Sequence, residues 1–352
     1  MSDTLYPLQF DPIFIDKPWG GRRIESLGLT LPGSPSRAIG EAWLLVDLGS
    51  TASSHADHKP ERSLISNGPM RGRSIHELVT EVNSQLLGRV ELSEAGGFPL
   101  LVKFLDASEN LSIQVHPSRA YAVEHPGTCV KYEAWYVIDA EPGSVIYRGL
   151  KPGVTPEQLR AALQSHDEQR IIDLLITVPV KPNECYYIPS GMPHALGKGI
   201  LVAEVQTPSD TTFRLFDWDR SRMTPDEKAW HIEQGMQCVI YDAANLKQVE
   251  KRTHVAGFFT TVSCLIMCDY FRIEKVRMSE GYEQEITYDQ PAVWIVLKGK
   301  GKITTADKQT ITFQPGQAML IPASFNAARI ALDADTVWLE VSFPQAQNQL
   351  LA

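Results

Sequence analysis

The stretch LSIQVHPSRAYAVEHPGTCVKYEAWY, Leu111 to Tyr136, carries the residues around which the rest of the chain is arranged. In LSIQVHP the apolar Leu111, Ile113 and Val115 alternate with Ser112, Gln114 and His116, so an extended strand sends one set to each face. In KYEAWYV the same period gathers Lys131, Glu133 and Trp135 on one side, and Tyr132, Ala134 and Tyr136 on the other. Two such strands present Gln, His, Glu and Lys together, although either alone is an ordinary half-solvated edge. A third segment decides the matter. PNECYYIPSGMPHALG, Pro182 to Gly197, is a β-rich run followed by the turn formers Pro189, Ser190 and Gly191, then Pro193 and His194. His116, Glu133 and His194 then form a two-histidine, one-carboxylate set that suits Zn²⁺, Fe²⁺ or Mn²⁺.

The 352 residues are enough for two domains or one long β-rich domain, and 43% apolar content is ordinary for a soluble globular protein. A formal charge of -9 excludes general nucleic-acid or anionic-membrane binding, which needs a basic surface. An anionic small molecule needs locally gathered cations instead. MSDTLYPLQF lacks a basic region followed by an apolar stretch, and nothing reaches the length of a transmembrane helix, so the expected location is the cytoplasm. Cys129, Cys185, Cys238, Cys264 and Cys268 are odd in number and contain no CxxC pair, which fits reduced, mostly buried thiols.

The first hundred residues read as strands and long loops, with one exception. In SIHELVTEVNSQLLG, Ile75, Leu78, Val79, Val82, Leu86 and Leu87 follow helical spacing, Ser74 and Glu77 form a capping box and Gly88 ends the helix. His76 is read as a solvated helix residue, and His55 and His58 as loop residues without a role. Helical inserts are expected at about 154–176, opened by Thr155, Pro156 and Gln158, and at about 225–240, opened by Thr224, Pro225 and Glu227 and containing His231 as a surface or packing residue. After NLKQVEKRTHV the chain returns to strands with Gly and Pro turns, the pattern of a second small barrel. An internal repeat supports it: PNECYYIPSGMPHA lines up with PGQAMLIPASFNAA, which sets Ile188 on Ile321 and Pro189 on Pro322. The metal set does not survive in the second copy. His194 falls opposite Ala327, and with Trp135 on Trp294, Glu133 falls opposite Ala292.

QVHP, KYEAW, PSGMPHAL and SDTTFRLFDWDR, in this order, resemble the class I mannose-6-phosphate isomerases of the shorter bacterial type, zinc enzymes of the cupin superfamily. The likeness begins at KPWGG from Lys17, continues through GEAW at Gly40 and FPLLVKFLDA at Phe98 to Arg220, and extends more weakly to the C-terminus. It implies a mainly β fold of two tandem jelly-roll barrels with a few inserted helices: a catalytic domain over 1–245 and a ligand-free domain over 246–352. It also implies interconversion of mannose 6-phosphate and fructose 6-phosphate through an enediol or enediolate, with one Zn²⁺ per chain held by Gln114, His116, Glu133 and His194. Two neutral histidines, an amide and one carboxylate leave about one positive charge on such an ion, enough to favour a developing enediolate.

Arg214 matches the family's active-site arginine, and Ser112 and Lys131 its phosphate pair. A lysine in an apolar strand needs a reason, and the resemblance makes Lys103 a substrate-facing cation near the metal. Glu204, sharing a strand face with Val202 and Gln206, is the candidate acid/base, because a carboxyl titrates where arginine stays protonated. Lys131 is also assigned to catalysis, while Arg220 and Arg222 are assigned to ion pairs around DWDRSR. The protein is expected to act as a monomer or homodimer with a sugar phosphate as its partner. Two other readings fit the metal set alone: an Fe²⁺-dependent cupin oxygenase, which has no need of Ser112, Lys131 and Arg214, and a sugar-binding cupin without turnover. The loop ASSHADHKPERS and the reduction of the larger helical domain to two short stretches depart from the family without touching the ligand motifs.

Overall fold

The structure is a computed structural model that describes residues 5–49, 61–218, 230–241, 252–257, 259–325 and 328–344. In the first half a six-stranded sheet runs in the order β11 (Cys185–Ile188), β8 (Glu133–Ala140), β13 (Ile200–Gln206), β6 (Leu101–Ala107), β3 (Ile39–Leu45) and β2 (Ile13–Gly21). A five-stranded sheet runs β10 (Leu175–Pro179), β9 (Val145–Leu150), β12 (His194–Leu196), β7 (Ile113–Val115) and β14 (Phe213–Phe216). The two meet over an inner cluster that includes Trp19, Leu105, Leu111, Trp135, Ile146, Leu196 and Val202. A short ribbon, β4 (Asp47–Leu48) and β5 (Glu61–Arg62), lies beside them.

The second half repeats the plan. Its larger sheet runs β1 (Leu8–Gln9), β22 (Ala318–Ile321), β19 (Ala292–Lys298), β24 (Thr336–Ser342), β17 (Arg272–Met278), β16 (Thr260–Met267) and β15 (Arg252–Gly257). The smaller runs β18 (Glu283–Ile286), β23 (Ala328–Leu332), β20 (Gly301–Thr304) and β21 (Thr310–Phe313). The fold is mainly β, as the sequence led us to expect. Leu8 and Gln9, at the start of the chain, pair with Leu320 and Met319, so the first strand belongs spatially to the second half's sheet.

Strand period decides what each face does. Val102, Phe104, Ala134, Tyr136, Leu201, Ala203 and Val205 enter the large core shared with the second half. Their alternates Lys103, Glu133, Trp135 and Glu204 therefore turn into the first barrel. On the same strands Leu105, Trp135, Val137 and Val202 join the inner apolar cluster.

The helices follow their caps. α1 (Ile75–Leu87) has the full Ser74–Glu77 capping box, with a break from helical geometry at Val82. His76 is not the free, solvated residue its position suggested: Nδ1 lies 3.1 Å from the buried Asp47 carboxylate. α2 (Arg119–Glu124) follows the QVHP segment. The 154–176 insert resolves into α3 (Pro156–Ser165) and α4 (Glu168–Ile172), and the later insert appears as α5 (Ile232–Cys238). Thr224, Pro225, Glu227, Arg220, Arg222, His55, His58 and Ala327 lie outside the described residues. All five cysteines are free, but only Cys238 is buried, the other four being half-buried.

The repeat is visible in hydrogen-bond register. Ile188 pairs with Glu133 across β11 and β8, and Ile321 pairs with Ala292 across β22 and β19. Glu204 sits opposite Trp135, and Glu340 opposite Trp294, so the second barrel keeps a carboxylate where the first has Glu204. Glu340 accepts from Tyr288 at 2.7 Å, and the indoles of Trp294 and Trp338 stack beside it. Burial pushes the Glu340 carboxyl above its ordinary value near 4.5, against hydrogen bonds from Tyr288 and Trp338 that favour the anion. A raised folded-state pKa makes ionisation costly for the folded chain, so stability is lost as pH rises above the unfolded value. Glu340→Gln is expected to raise the melting temperature at neutral pH, with the gain vanishing once pH falls below about 4.5. Melts of both proteins across that range check it, and a pH-independent difference would contradict it.

Candidate metal centre

Three neighbouring strands of the smaller sheet set one side of the centre. His194 on β12 lies opposite Gln114 on β7, which lies opposite Arg214 on β14, and directly opposed residues share a face. His116 follows the last residue of β7. The turn Pro189–Met192 holds the arrangement: Gly191 donates to the His116 carbonyl at 3.1 Å, and Ser190 Oγ accepts from the Lys131 amide at 2.8 Å. Gly191 has φ +85, and a Cβ there would meet the Cys238 carbonyl at 2.9 Å, so the tight turn requires glycine. The opposite side is β8 with the two residues that lead into it, whose alternation turns Lys131, Glu133 and Trp135 inward.

The ligand atoms of His116, Glu133 and His194 lie within 4.8 Å of one another, and all three residues are buried. His116 Nε2 stands 3.2 Å from Glu133 Oε1, and His194 Nε2 stands 3.5 Å from Oε2. Each ring is fixed from behind by a carbonyl acceptor: His116 Nδ1 at 3.0 Å from Thr211 O, and His194 Nδ1 at 2.8 Å from Met192 O. The proton of each neutral ring must then sit on Nδ1, which turns the Nε2 lone pairs toward the carboxylate. Burial lowers both imidazole pKa values, His194 to about 3, so the rings are in the neutral form that binds metal. Burial alone would raise the Glu133 carboxyl, but Lys131 Nζ at 2.7 Å and the two histidines hold it well below the usual range. Among the described residues, His116 Nε2 and Glu133 Oε2 have no hydrogen-bond partner. Buried lone pairs converging without a donor are costly, and a divalent cation is the group that removes the cost. The donor set therefore fits a metal ion.

Gln114 is close but turned away. Its Nε2 lies 3.2 Å from His194 Nε2, and its Oε1 accepts from Ser112 at 3.3 Å. Serving as a ligand through oxygen requires the amide to rotate, after which Ser112 Oγ can accept from Nε2 instead. Arg214 shares this face and is half-buried, with Nε 3.8 Å from Asp217 Oδ2.

Sequence reading missed a buried charge network beside the centre. Lys103 Nζ lies 3.1 Å from Glu204 Oε1 and 3.3 Å from Glu41 Oε2. Glu41 also takes Lys17 at 3.4 Å and the Trp43 indole at 2.7 Å. Trp135 donates to Glu204 Oε2 at 2.9 Å and sets its ring edge against His194. Burial penalises the charge on Lys103, but Glu204 and Glu41 more than offset it and raise its pKa. Burial would likewise raise Glu41, which Lys103 and Lys17 instead push down. Glu204 stays raised, because burial and the nearby Glu133 charge outweigh its share of Lys103. Glu41 lies in GEAW and Lys17 in KPWGG, motifs quoted for resemblance without a role for either residue. Gly20 and Gly40 bring these motifs together, since a Cβ on Gly20 would meet Gly40 N at 2.4 Å.

Residues 8–136 match the family model "Phosphomannose isomerase type I, catalytic domain", and residues 260–336 match "Mannose-6-phosphate isomerase, cupin domain". Mannose-6-phosphate isomerase ManA of Bacillus subtilis (strain 168) is 33% identical over 321 residues, covering 91% of this chain and 94% of its own. The chain belongs to the type I phosphomannose isomerase family. It is an isomerase of that family, with the cupin architecture. Mannose-6-phosphate isomerase of Streptococcus mutans serotype c is 33% identical over 333 residues, 93% of this chain and 97% of that one. The crystal structure of the Bacillus subtilis mannose 6-phosphate isomerase superposes with a TM-score of 0.82 at 28% identity, covering 96% of this chain and all of that one. A putative mannosephosphate isomerase from Archaeoglobus fulgidus shares the fold at a TM-score of 0.70 and 21% identity, over 98% of this chain and 100% of its own. No helix among the described residues is long and apolar enough to cross a membrane.

Proposed function

We propose that this isomerase interconverts mannose 6-phosphate and fructose 6-phosphate through an enediol or enediolate, with one zinc ion held by His116, Glu133, His194 and a rotated Gln114. The observation that carries this reading is the junction of the three-ligand set with a buried network of lysines and carboxylates. Lys17, Lys103 and Lys131 offset Glu41, Glu133 and Glu204, so the network is near neutral with the histidines uncharged. A divalent cation leaves a surplus matched to a phosphomonoester, which carries about -1.5 to -2 at neutral pH. Bound there, the ion supplies a Lewis acid that polarises the sugar carbonyl.

The side chains do the rest. Glu204 moves the proton between C1 and C2, its raised pKa suiting a group that must both accept and release. Trp135 and Lys103 hold its two oxygens in place. Lys131 has three N–H donors and spends one on Glu133, leaving donors for phosphate, while Ser112 turns its single proton from Gln114 to a phosphate oxygen. Arg214 stabilises the developing oxyanion. An oxygenase has no use for this lysine network. The net charge and free thiols support a cytoplasmic protein, working as a monomer or homodimer on a sugar phosphate.

A coupled assay of fructose 6-phosphate formation, before and after chelation, tests the reading. Chelation is expected to lower turnover at least about a hundredfold, in line with several kcal/mol of metal-derived stabilisation, and added zinc to restore it. Turnover untouched by complete metal removal sinks the metal's role. No turnover with one metal bound per chain sinks the substrate assignment.

A further inference from the structure

The second barrel lacks the metal residue at Ala292, yet one of its side chains reaches the segments that carry the metal ligands of the first. The connection between β16 and β17 is the turn Cys268–Phe271. Cys268 N donates to Phe271 O at 3.0 Å, and Phe271 is fully buried in the shared core, so the turn is anchored at its base. Tyr270 projects from it and stacks on Tyr132, ring centroids 4.4 Å apart and planes 27° from parallel. Tyr187 of β11 lies parallel to Tyr132 at 6.4 Å, which makes Tyr132 the middle of three rings. The Tyr270 hydroxyl accepts from the Arg119 guanidinium.

Each contact sits next to the chemistry. Tyr132 stands between Lys131 and Glu133, so by strand alternation its ring is the outward handle of the segment whose inward residues are those two. Arg119 is three residues after His116 and opens α2. Within the first barrel the two segments already meet through His116, Glu133 and His194, and Arg119 also reaches Tyr132; Tyr270 adds a contact to both segments from the other barrel. A planar stack fixes the azimuth of Tyr132, and the Arg119 bond fixes the start of α2. Displacement of either by about 1 Å is enough to cost orders of magnitude in a positioned site.

We infer that Tyr270 is a positioning residue, through which the second barrel holds the His116 and Glu133 segments in the register the metal centre requires. The inference rests on the proposed function only for its kinetic readout; metal retention supplies a readout independent of substrate.

The test compares Tyr270→Ala with Tyr270→Phe in the full chain loaded with zinc. Phe keeps the stack and loses the Arg119 bond, whereas Ala loses both. Tyr270→Ala is expected to release zinc to a chelator about tenfold faster and to lose about tenfold in kcat/KM, roughly 1.4 kcal/mol by the usual conversion. Tyr270→Phe is expected to recover at least half of both losses on a logarithmic scale, with the chain still folded by circular dichroism. Zinc release at the parent's rate from Tyr270→Ala overturns the inference, whatever the kinetics show. So does equal impairment of Phe and Ala together with a melting temperature lowered alike in both, the signature of a merely structural contact. A parent that retains zinc but turns over no mannose 6-phosphate would count against the substrate assignment and leave the zinc-release comparison to decide the role of Tyr270.

Discussion

Glu133→Gln is expected to leave a folded chain that no longer retains metal and turns over at least about a thousandfold more slowly, the equivalent of about 4 kcal/mol of barrier. Glutamine keeps the shape of the side chain but removes the charge on which the site converges. Both histidines direct lone pairs at this carboxylate, and Lys131 approaches it at 2.7 Å while only 5% exposed. Losing the anion therefore has a second consequence. Lys131 is left as a buried ammonium without its partner, and removal of one member of a buried pair costs about 3–5 kcal/mol. Stability should be compared on chelated samples, so that loss of metal binding does not contribute to the difference. Under those conditions Glu133→Gln should melt well below the parent. The double variant Glu133→Gln with Lys131→Met should recover much of that loss without recovering turnover. A single variant as stable as the chelated parent would show that Lys131 does not depend on Glu133.

The centre was legible in sequence because its residues obey strand period and turn chemistry over short spans. QVHP, KYEAW and PSGMPH each declare which side chains share a face, and those assignments are local. The supporting network was not legible, because the pairings that tie its strands together are non-local: Glu41 and Lys103 are 62 residues apart, and Trp135 and Glu204 are 69 apart. A lysine in an apolar strand signals that a partner exists without saying which one. His76 illustrates the same limit, since its partner Asp47 lies 29 residues upstream and only the packing of α1 against the β4 ribbon brings them together. The correspondence of Glu340 with Glu204 emerges from hydrogen-bond register, because the aligned repeat PGQAMLIPASFNAA stops short of the strand that carries Glu340. Gln114 marks a further boundary: period places it on the right face, but which end of the amide faces the centre depends on Ser112 and His194.

Glu204→Gln should separate proton transfer from metal binding. The residue touches no metal-ligand side chain directly; it is held by Lys103 and by the Trp135 indole, so the variant is expected to keep one zinc per chain. Its kcat should fall by about 10²–10⁴-fold, the usual contribution of a positioned acid/base, with KM within a few-fold of the parent. Burial and the Glu133 charge raise the Glu204 pKa, so the protonated form persists to higher pH than for an exposed glutamate. Because the step needs the carboxylate, parent activity should rise with pH through that raised value, and the acid limb should be absent from the residual activity of the variant. Some stability is lost as well. Glutamine has one acceptor oxygen where glutamate has two, so it cannot satisfy both Lys103 and the buried Trp135 N–H, at a cost of about 1–3 kcal/mol. Lys103 keeps Glu41 at 3.3 Å, which spares it the isolation expected of Lys131 in Glu133→Gln. The two carboxylates, both buried and both beside a lysine, should therefore fail in opposite ways, one through metal and charge balance and the other through the proton alone. A Glu204→Gln enzyme that retains zinc and the parent kcat would remove Glu204 as the proton carrier and leave that role to another group in the pocket.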